Sequence, residues 1–403
     1  MIVYNFTQIH SFLFGNVLRL KFDKESSVIA SHSLYHYLTE SKKKIDNNVM
    51  EWDFYKKLIN PYEFIHTSPN NSTRAVAEYS AISRSFYKLI EIVVFYNLFE
   101  NFEDQTGIKS FHLAEGPGGF IEAMVYMRKH NLNDMYHGMT LLSNNKNIPK
   151  WSKLRNKFRF YKGIHYEVGA TENGDLLCHE NFTHCFEKYK NSMDFMTGDG
   201  GFDFSVDYEK QEVSSTKLVL AQILYALMMQ ARGGTFVLKI FDIFHLTTIE
   251  MLYLLNLFYD DVSICKPKTS RFANSEKYVV CKRFLYKDTS CFYNDFLTMF
   301  KEMRDPKYNN KEIVSLLNMD IPLSFMKEIE ELNCIFGKKQ LNTIHNTLMM
   351  IQERRSEKIE RLRKANIEKC IQWCNRNNVP CNNCFKPQNI FKKNISRENY
   401  IVD

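Results

Sequence analysis

The sequence predicts an α/β protein: a seven-stranded, mostly parallel sheet whose last strand runs antiparallel, with helices on both faces and helical extensions at both ends. Two observations predict it. Between about residues 106 and 285, short β-branched or aromatic runs alternate with longer apolar segments of helical length, the rhythm of β-α-β crossovers. The last two runs are separated only by "KTSRFANS", too short for a parallel crossover, so the final strand must return antiparallel.

Residues 1 to about 105 show no clear strand alternation, and "RSFYKLIEIVVFYNLFE" reads as helix. The strands expected next are "IKSFHLA", "MYHGMTL", "FRFYKGI", "MDFMTGD", "GTFVLKIFD", "DVSICKP" and "EKYVVCKRF". "KLVLAQILYALMMQA" and "TIEMLYLLNLFY" are apolar and long enough to be helices packed on that sheet. From about 290 onward the chain reads as helices. Leu341, Ile344, Leu348 and Ile351 recur at spacings of three and four, and "QERRSEKIERLRK" continues with charged pairs that suit a solvated helical face. Expected boundaries are an N-terminal extension over 1–75, the α/β domain over 76–288 and a helical extension over 289–403.

The bulk numbers fit this plan. The chain has 403 residues, 44% of them hydrophobic and 14% aromatic, ample for a large core. Ten cysteines are scattered through apolar segments, which points to reduced thiols inside a cell rather than a secreted disulfide scaffold. Polar residues interrupt the N-terminal segment, no basic region or cleavage site follows, and no apolar run is long enough to cross a bilayer. The net charge of +7 is compatible with a polyanionic partner but does not demand one. The tail segment "CIQWCNRNNVPCNNC" contains Cys370, Cys374, Cys381 and Cys384. The spacing is loose for zinc, small apolar residues on a buried helix face explain the first pair equally well, and no metal is expected.

Four places carry chemistry. "HLAEGPGGF" (112–120) joins an apolar run to a helix, and its glycines let the backbone turn sharply and approach a ligand; by itself the loop is equally a tight structural turn. "FMTGDGGFDFS" places Asp199 at the carboxyl end of a strand, the edge where open α/β sheets bind ligands. "GGTFVLKIFD" places Lys239 inside a strand among apolar residues, a costly position for a charge that serves no purpose. "KPKTSRFANSEKYVVCK" places Glu276 at the start of the last strand, after a loop with Lys266, Lys268 and Arg271.

In this order and at these separations, "AEGPGGF", "GDGGFDFS", "GGTFVLKIFD" and "KTSRFANSEKYVVCK" resemble the FtsJ/RrmJ-like ribose 2'-O-methyltransferases, with their Rossmann-like methyltransferase fold. The similarity is greatest to the mRNA cap-1 enzymes of eukaryotes and large DNA viruses, and "INPYEFIH" resembles a segment of those enzymes. It covers about residues 56 to 284. The family carries a Lys-Asp-Lys-Glu tetrad whose first lysine follows an (S/N)RxxxK pattern, and "SRSFYK" supplies it. The resemblance therefore implies Lys88, Asp199, Lys239 and Glu276 as the catalytic set, with Lys239 as the base for a ribose 2'-hydroxyl.

It also implies S-adenosyl-L-methionine as cofactor, held by Ser83, Lys88, Ala114, Glu115, Gly116, Pro117, Gly118, Gly119, Phe120, Asp175 and Asp199. RNA contacts are implied at Lys42, Lys56, Glu209, Lys210, Gln211, Lys268 and Arg271. The second strand ends in "HGMTLLSNN", without the ribose-binding acid of many methyltransferases, which the cap enzymes share. The implied substrate is capped mRNA, with other capping or transcription proteins as further partners, in the cytoplasm or nucleus, and without DNA specificity or membrane attachment. Methylation of the second cap nucleotide, rRNA or tRNA, and a catalytically silent RNA-binding scaffold, are the alternatives.

Overall fold

The computed structural model describes the chain apart from residues 10–16, 70–72, 103–104, 144, 146–147, 202–209 and 386–403. In chain order its elements are β1 (Ile2–Asn5), β2 (Leu18–Asp23), α1 (His32–Asp46), α2 (Val49–Ile59), α3 (Ser85–Tyr96), β3 (Lys109–Leu113), α4 (Gly119–Met127), β4 (Met135–Met139), α5 (Ser152–Lys157), β5 (Ile164–Glu167), α6 (His179–Tyr189), β6 (Met193–Gly198), α7 (Gln211–Met229), β7 (Gln230–Ile240), α8 (Leu246–Phe258), β8 (Tyr259–Lys266), β9 (Lys277–Phe284), α9 (Tyr293–Arg304), β10 (Glu312–Leu317), α10 (Leu323–Glu353) and α11 (Ser356–Arg376).

Among the described residues the main sheet has eight strands in the order β1-β8-β9-β7-β6-β3-β4-β5. The pairs from β5 through β7 are parallel, and β9 runs antiparallel to both β7 and β8, as the short "KTSRFANS" connection requires. The strand count of seven is corrected by β1, which pairs antiparallel with β8 from Ile2↔Lys266 to Asn5↔Ser263 and covers what would otherwise be a bare sheet edge. Four residues are too few to show an alternation in the sequence.

Two further expectations are corrected. The N- and C-terminal extensions are not purely helical, because β2 and β10 pair as a separate two-stranded sheet. The third strand expected at "FRFYKGI" begins only at its last residue, Ile164, which pairs with Tyr136; Phe160, within the expected strand, is 84% exposed.

Strand alternation divides the core between the two sheet faces. Phe111, Leu113, Met196, Phe236, Leu238 and Ile240 belong to one cluster with α6, α7, α8 and α9. The other face carries Phe195, Thr197, Val237, Lys239 and Tyr278. Phe120 of α4 meets Tyr278 there at 6.2 Å between ring centres, and Phe86 of α3 meets Tyr126 of α4 at 5.4 Å. Helix α7 is buried on nearly all sides, consistent with its almost uninterrupted apolar sequence. In α10, Phe325, Ile329, Leu332, Phe336, Ile344 and Ile351 form a buried stripe at helical spacing. Gly337 lets α1 approach α10: a Cβ there would lie 2.6 Å from Leu34 Cδ2.

Contacts divide the chain into two compact units, Met1–Asn60 with Ala81–Arg355 and Pro61–Ser80 with Ser356–Asp403. In the second unit, Asn382 Nδ2 donates to the carbonyls of Ala75 and Ala77. Cys370 and Cys374 are buried on α11, and burial pushes the Cys370 thiol up to about 12. Cys381 is buried and Cys384 exposed. Among the described residues no cluster of His, Cys, Asp or Glu could hold a metal ion, and no helix is long and apolar enough to cross a membrane.

The buried carboxylate of Glu250 on α8 ties the small sheet to this core: it accepts from Leu316 N at 2.6 Å and from Ser315 Oγ at 3.0 Å. Burial raises its pKa, outweighing those donors. Glu250→Ala should cost about 1–3 kcal/mol in urea denaturation because the buried Leu316 N–H loses its acceptor, whereas Glu250→Gln, which keeps an acceptor oxygen, should cost less than the alanine variant.

Candidate active site

The site lies at the edge where the parallel strands end. Asp199 follows the last residue of β6, Lys239 is the penultimate residue of β7, and Glu276 immediately precedes β9, whose reversed direction brings its start to the same edge. Lys88 reaches it from α3, where Phe86, Leu89, Ile90 and Val93 turn their apolar side chains inward. The helix ends at Asn97 in the left-handed conformation, with its N–H on Val93 O.

The four side chains form two ion pairs. Lys88 Nζ lies 2.7 Å from Glu276 Oε1 and 2.8 Å from Oε2. Lys239 Nζ lies 3.1 Å from Asp199 Oδ1 and donates to the Asp199 carbonyl at 2.6 Å. Tyr278 links them: its hydroxyl donates to Asp199 Oδ1 at 3.2 Å, and Lys88 Nζ lies 5.9 Å from its ring centre. Ser270 Oγ donates to Glu276 Oε1 at 2.7 Å. Burial alone would raise the Glu276 carboxyl, but the Lys88 and Lys239 ammoniums hold it below the usual carboxylate range.

Around these pairs lie three further lysines, two of them, Lys266 and Lys277, buried. Lys266 donates to Asn274 O, Asn274 Oδ1 and Glu276 O at 2.7, 2.8 and 2.6 Å. Lys277 donates to Phe241 O and Ser275 O, both at 3.0 Å, and lies 3.6 Å from Asp242 Oδ1. Burial lowers the pKa of both lysines. Lys42 of α1 meets Asp242 Oδ2 at 3.0 Å. Thus Lys42, Lys88, Lys239, Lys266 and Lys277 surround Asp199, Asp242 and Glu276. The next carboxylate, Glu212, is occupied by His245 and by the Phe244 and His245 N–H groups.

A cavity of about 430 Å³ opens against Lys239 and Glu276, and Lys42, Lys56, Gln211 and Arg271 all line it, together with Trp52, Asp53, Phe241 and Gln340. Of the RNA-contact residues read from the sequence, these four therefore share one cavity with two tetrad members. Lys210 and Lys268 are not among its lining residues, and Glu209 lies outside the described residues. Lys42 and Lys56 already pair with Asp242 and Asp53.

The glycine turn has a different character. Ala114 has φ 52° and Gly118 φ 112°, and a Cβ on Gly119 would lie 2.1 Å from the hydroxyls of both Ser83 and Ser85. Glu115 Oε1 accepts from Phe120 N at 2.7 Å and Ile121 N at 2.9 Å, so two N–H groups of the first turn of α4 are already occupied. A phosphate at this helix end would have to displace a buried carboxyl. Glu115 is thus held inside the turn, a capping role that the glycine pattern did not reveal. Pro117 sits at the apex of the turn, before Gly118. Asp175, in the loop after β5, accepts from Leu177 N at 2.9 Å and pairs with Arg304 at 3.2 Å.

A family model described as FtsJ-like methyltransferase matches residues 81–284, half of the chain. The chain belongs to that family. The methyltransferase domain accounts for the tetrad strands, the glycine turn and α3. Among curated proteins, a cap-specific mRNA (nucleoside-2'-O-)-methyltransferase 1A of Caenorhabditis briggsae is 34% identical over 245 residues, covering 57% of this chain and 27% of that protein. An inactive cap-specific mRNA (nucleoside-2'-O-)-methyltransferase 1B of the same organism is 32% identical over 244 residues, covering 57% and 28%. A cap-specific mRNA (nucleoside-2'-O-)-methyltransferase 1 of Danio rerio is 28% identical over 356 residues, covering 81% and 40%. The chain thus spans between 27% and 40% of the length of these relatives.

Tyr278, Ser270, Lys277 and Asp242 were not singled out in the sequence. Alternation in "EKYVV" could have found Tyr278, two residues after Glu276 and so on the same face. Nothing local marks Asp242. Burial, the largest effect on Glu115, raises its carboxyl well above the usual range. A raised folded-state pKa gives a contribution fully present below the unfolded value of about 4.3 and lost as pH rises through the folded one. Glu115→Gln keeps an acceptor at Oε1 but cannot ionise, so its stability relative to the parent should increase as pH is raised above about 4.3. Urea denaturation at several pH values measures this, and an unchanging difference would contradict it.

Proposed function

We propose that this protein transfers a methyl group from S-adenosyl-L-methionine to the ribose 2'-hydroxyl of the first transcribed nucleotide of capped mRNA. The observation that carries the proposal is the meeting of Lys88 with Glu276 and of Lys239 with Asp199 beside a cavity that Lys239 and Glu276 line, together with the cations Lys42, Lys56 and Arg271 and the carboxylates Asp46 and Asp53. Such a site gains by admitting an anion, and an RNA backbone is one. Trp52 and Phe241 add aromatic surfaces on which a base can stack, while Lys56 and Arg271 stand where phosphates would pass.

The turn over residues 114–119 fits the cofactor. Its backbone comes close to the sheet edge without side chains at Gly116, Gly118 and Gly119, and Glu115 fills the helix end that a phosphate-bearing cofactor would use. Ser83, Lys88, the turn from Ala114 to Phe120, Asp175 and Asp199 are the proposed holders of the cofactor, which supplies an electrophilic methyl group when bound. Lys239 Nζ takes the proton of the 2'-hydroxyl. Asp199, through its side chain and its carbonyl, fixes the direction of that amine, and Glu276 fixes Lys88 beside it.

Labelled S-adenosylmethionine, offered with RNAs bearing an N7-methylguanosine cap, an unmethylated cap or no cap, tests the reading. Transfer to capped RNA above the uncapped control is expected. Equal transfer to uncapped RNA sinks the cap specificity, and no transfer by a folded, cofactor-binding protein favours the silent scaffold; one relative's name describes it as inactive. Lys239→Ala should lower kcat by about 10²–10⁴-fold with cofactor affinity unchanged; activity near that of the parent would remove Lys239 as the base.

A further inference from the structure

We propose that Glu91 is a positioning residue: its buried carboxylate, together with Lys266, holds the loop over 267–275 in the shape that presents Arg271 to the catalytic cavity and Ser270 to Glu276. The inference rests on the reading of that cavity as the RNA site.

Glu91 is 5% exposed and lies on α3 three residues after Lys88, on the same side of the helix. Its Oε1 accepts from Lys268 N at 2.9 Å, and its Oε2 from Thr269 N and Thr269 Oγ1, both at 3.1 Å. A carboxylate removed from water in this way is expensive unless its oxygens are filled, and here the loop's own donors fill them. Lys266, 4% exposed, closes the base of the same loop through Asn274 and the Glu276 carbonyl.

What the two groups hold points to function. Ser270, directly after the residues gripped by Glu91, donates to Glu276 Oε1. Arg271, Ala273, Asn274 and Ser275 line the cavity. One helix therefore grips both the tetrad carboxylate, through Lys88, and the loop that leads into it, through Glu91. A shift of that loop would move the groups facing RNA while leaving the glycine turn, whose carboxyl Glu115 is held by the N–H groups of α4, as it is.

Glu91→Gln keeps the size of the side chain but replaces an acceptor oxygen by an amide that faces N–H donors. Two readouts are expected: amides of 268–276 exchange hydrogen about tenfold faster while those of β3, β6 and β7 do not change, and KM for capped RNA rises about tenfold with cofactor affinity close to the parent's. Thr269→Val, which removes a single donor, is the milder variant if Glu91→Gln does not fold, and should shift both readouts in the same direction. Exchange equal to the parent's overturns the staple. Faster exchange with an unchanged KM, or a parallel fall in cofactor affinity, overturns the positioning role. A parent protein that neither binds a capped oligonucleotide nor methylates it fails the reading of the site itself, and exchange still reports separately on whether Glu91 holds the loop.

Discussion

The site depends on the reversal of one strand. Because β9 runs antiparallel between β7 and β8, its first residues arrive at the edge where β6 and β7 finish, and Tyr278 pairs with Lys239 across the ladder. A parallel β9 would deliver its last residues there instead, and Glu276 would lie at the opposite end of the sheet. Backbone hydrogen bonding thus sets the distance between a lysine of one strand and a carboxylate of another, without help from either side chain.

Once that edge is set, buried charge shapes what surrounds it. Lysines outnumber the carboxylates they face, and each neutral or ionic partner is accounted for: Glu276 for Lys88, Asp199 for Lys239, Asp242 for Lys42 and Lys277, and Asn274 with the Glu276 carbonyl for Lys266. Such pairs add little net stability after desolvation, but removing one partner strands the other. The network therefore acts as a set of struts that fix geometry. The glycine turn, with its carboxyl folded into the helix end, is not lined by lysines in this way and suits a different ligand from the cavity.

Much of this was legible in order along the chain. The strands of the α/β core, the antiparallel return and the helices between them follow from apolar runs and connection lengths, because those are local properties of a buried parallel sheet. Lys239 and Asp199 stand out for a related reason: a charge inside an apolar strand, or at its carboxyl end, is visible where it sits. Four residues at the N-terminus were not visible as β1, since so short a run acquires strand structure only from the edge of β8. The same applies to β2 and β10, which lie nearly three hundred residues apart and define each other. "FRFYKGI" misled because aromatic residues at a helix end and turn mimic a strand when only their type is read.

The sequence by itself determined the kind of fold and singled out Lys88, Asp199, Lys239 and Glu276, because periodicity, spacing and family pattern are written along the chain. Tertiary structure decided which lysine meets which carboxylate, that Lys42 is spent on Asp242, that Glu115 caps α4, and that Glu91 grips the loop before Glu276. Each of these is a contact between segments distant in sequence, made where burial removes the alternative of water and leaves a polar group only the partners that the fold brings to it.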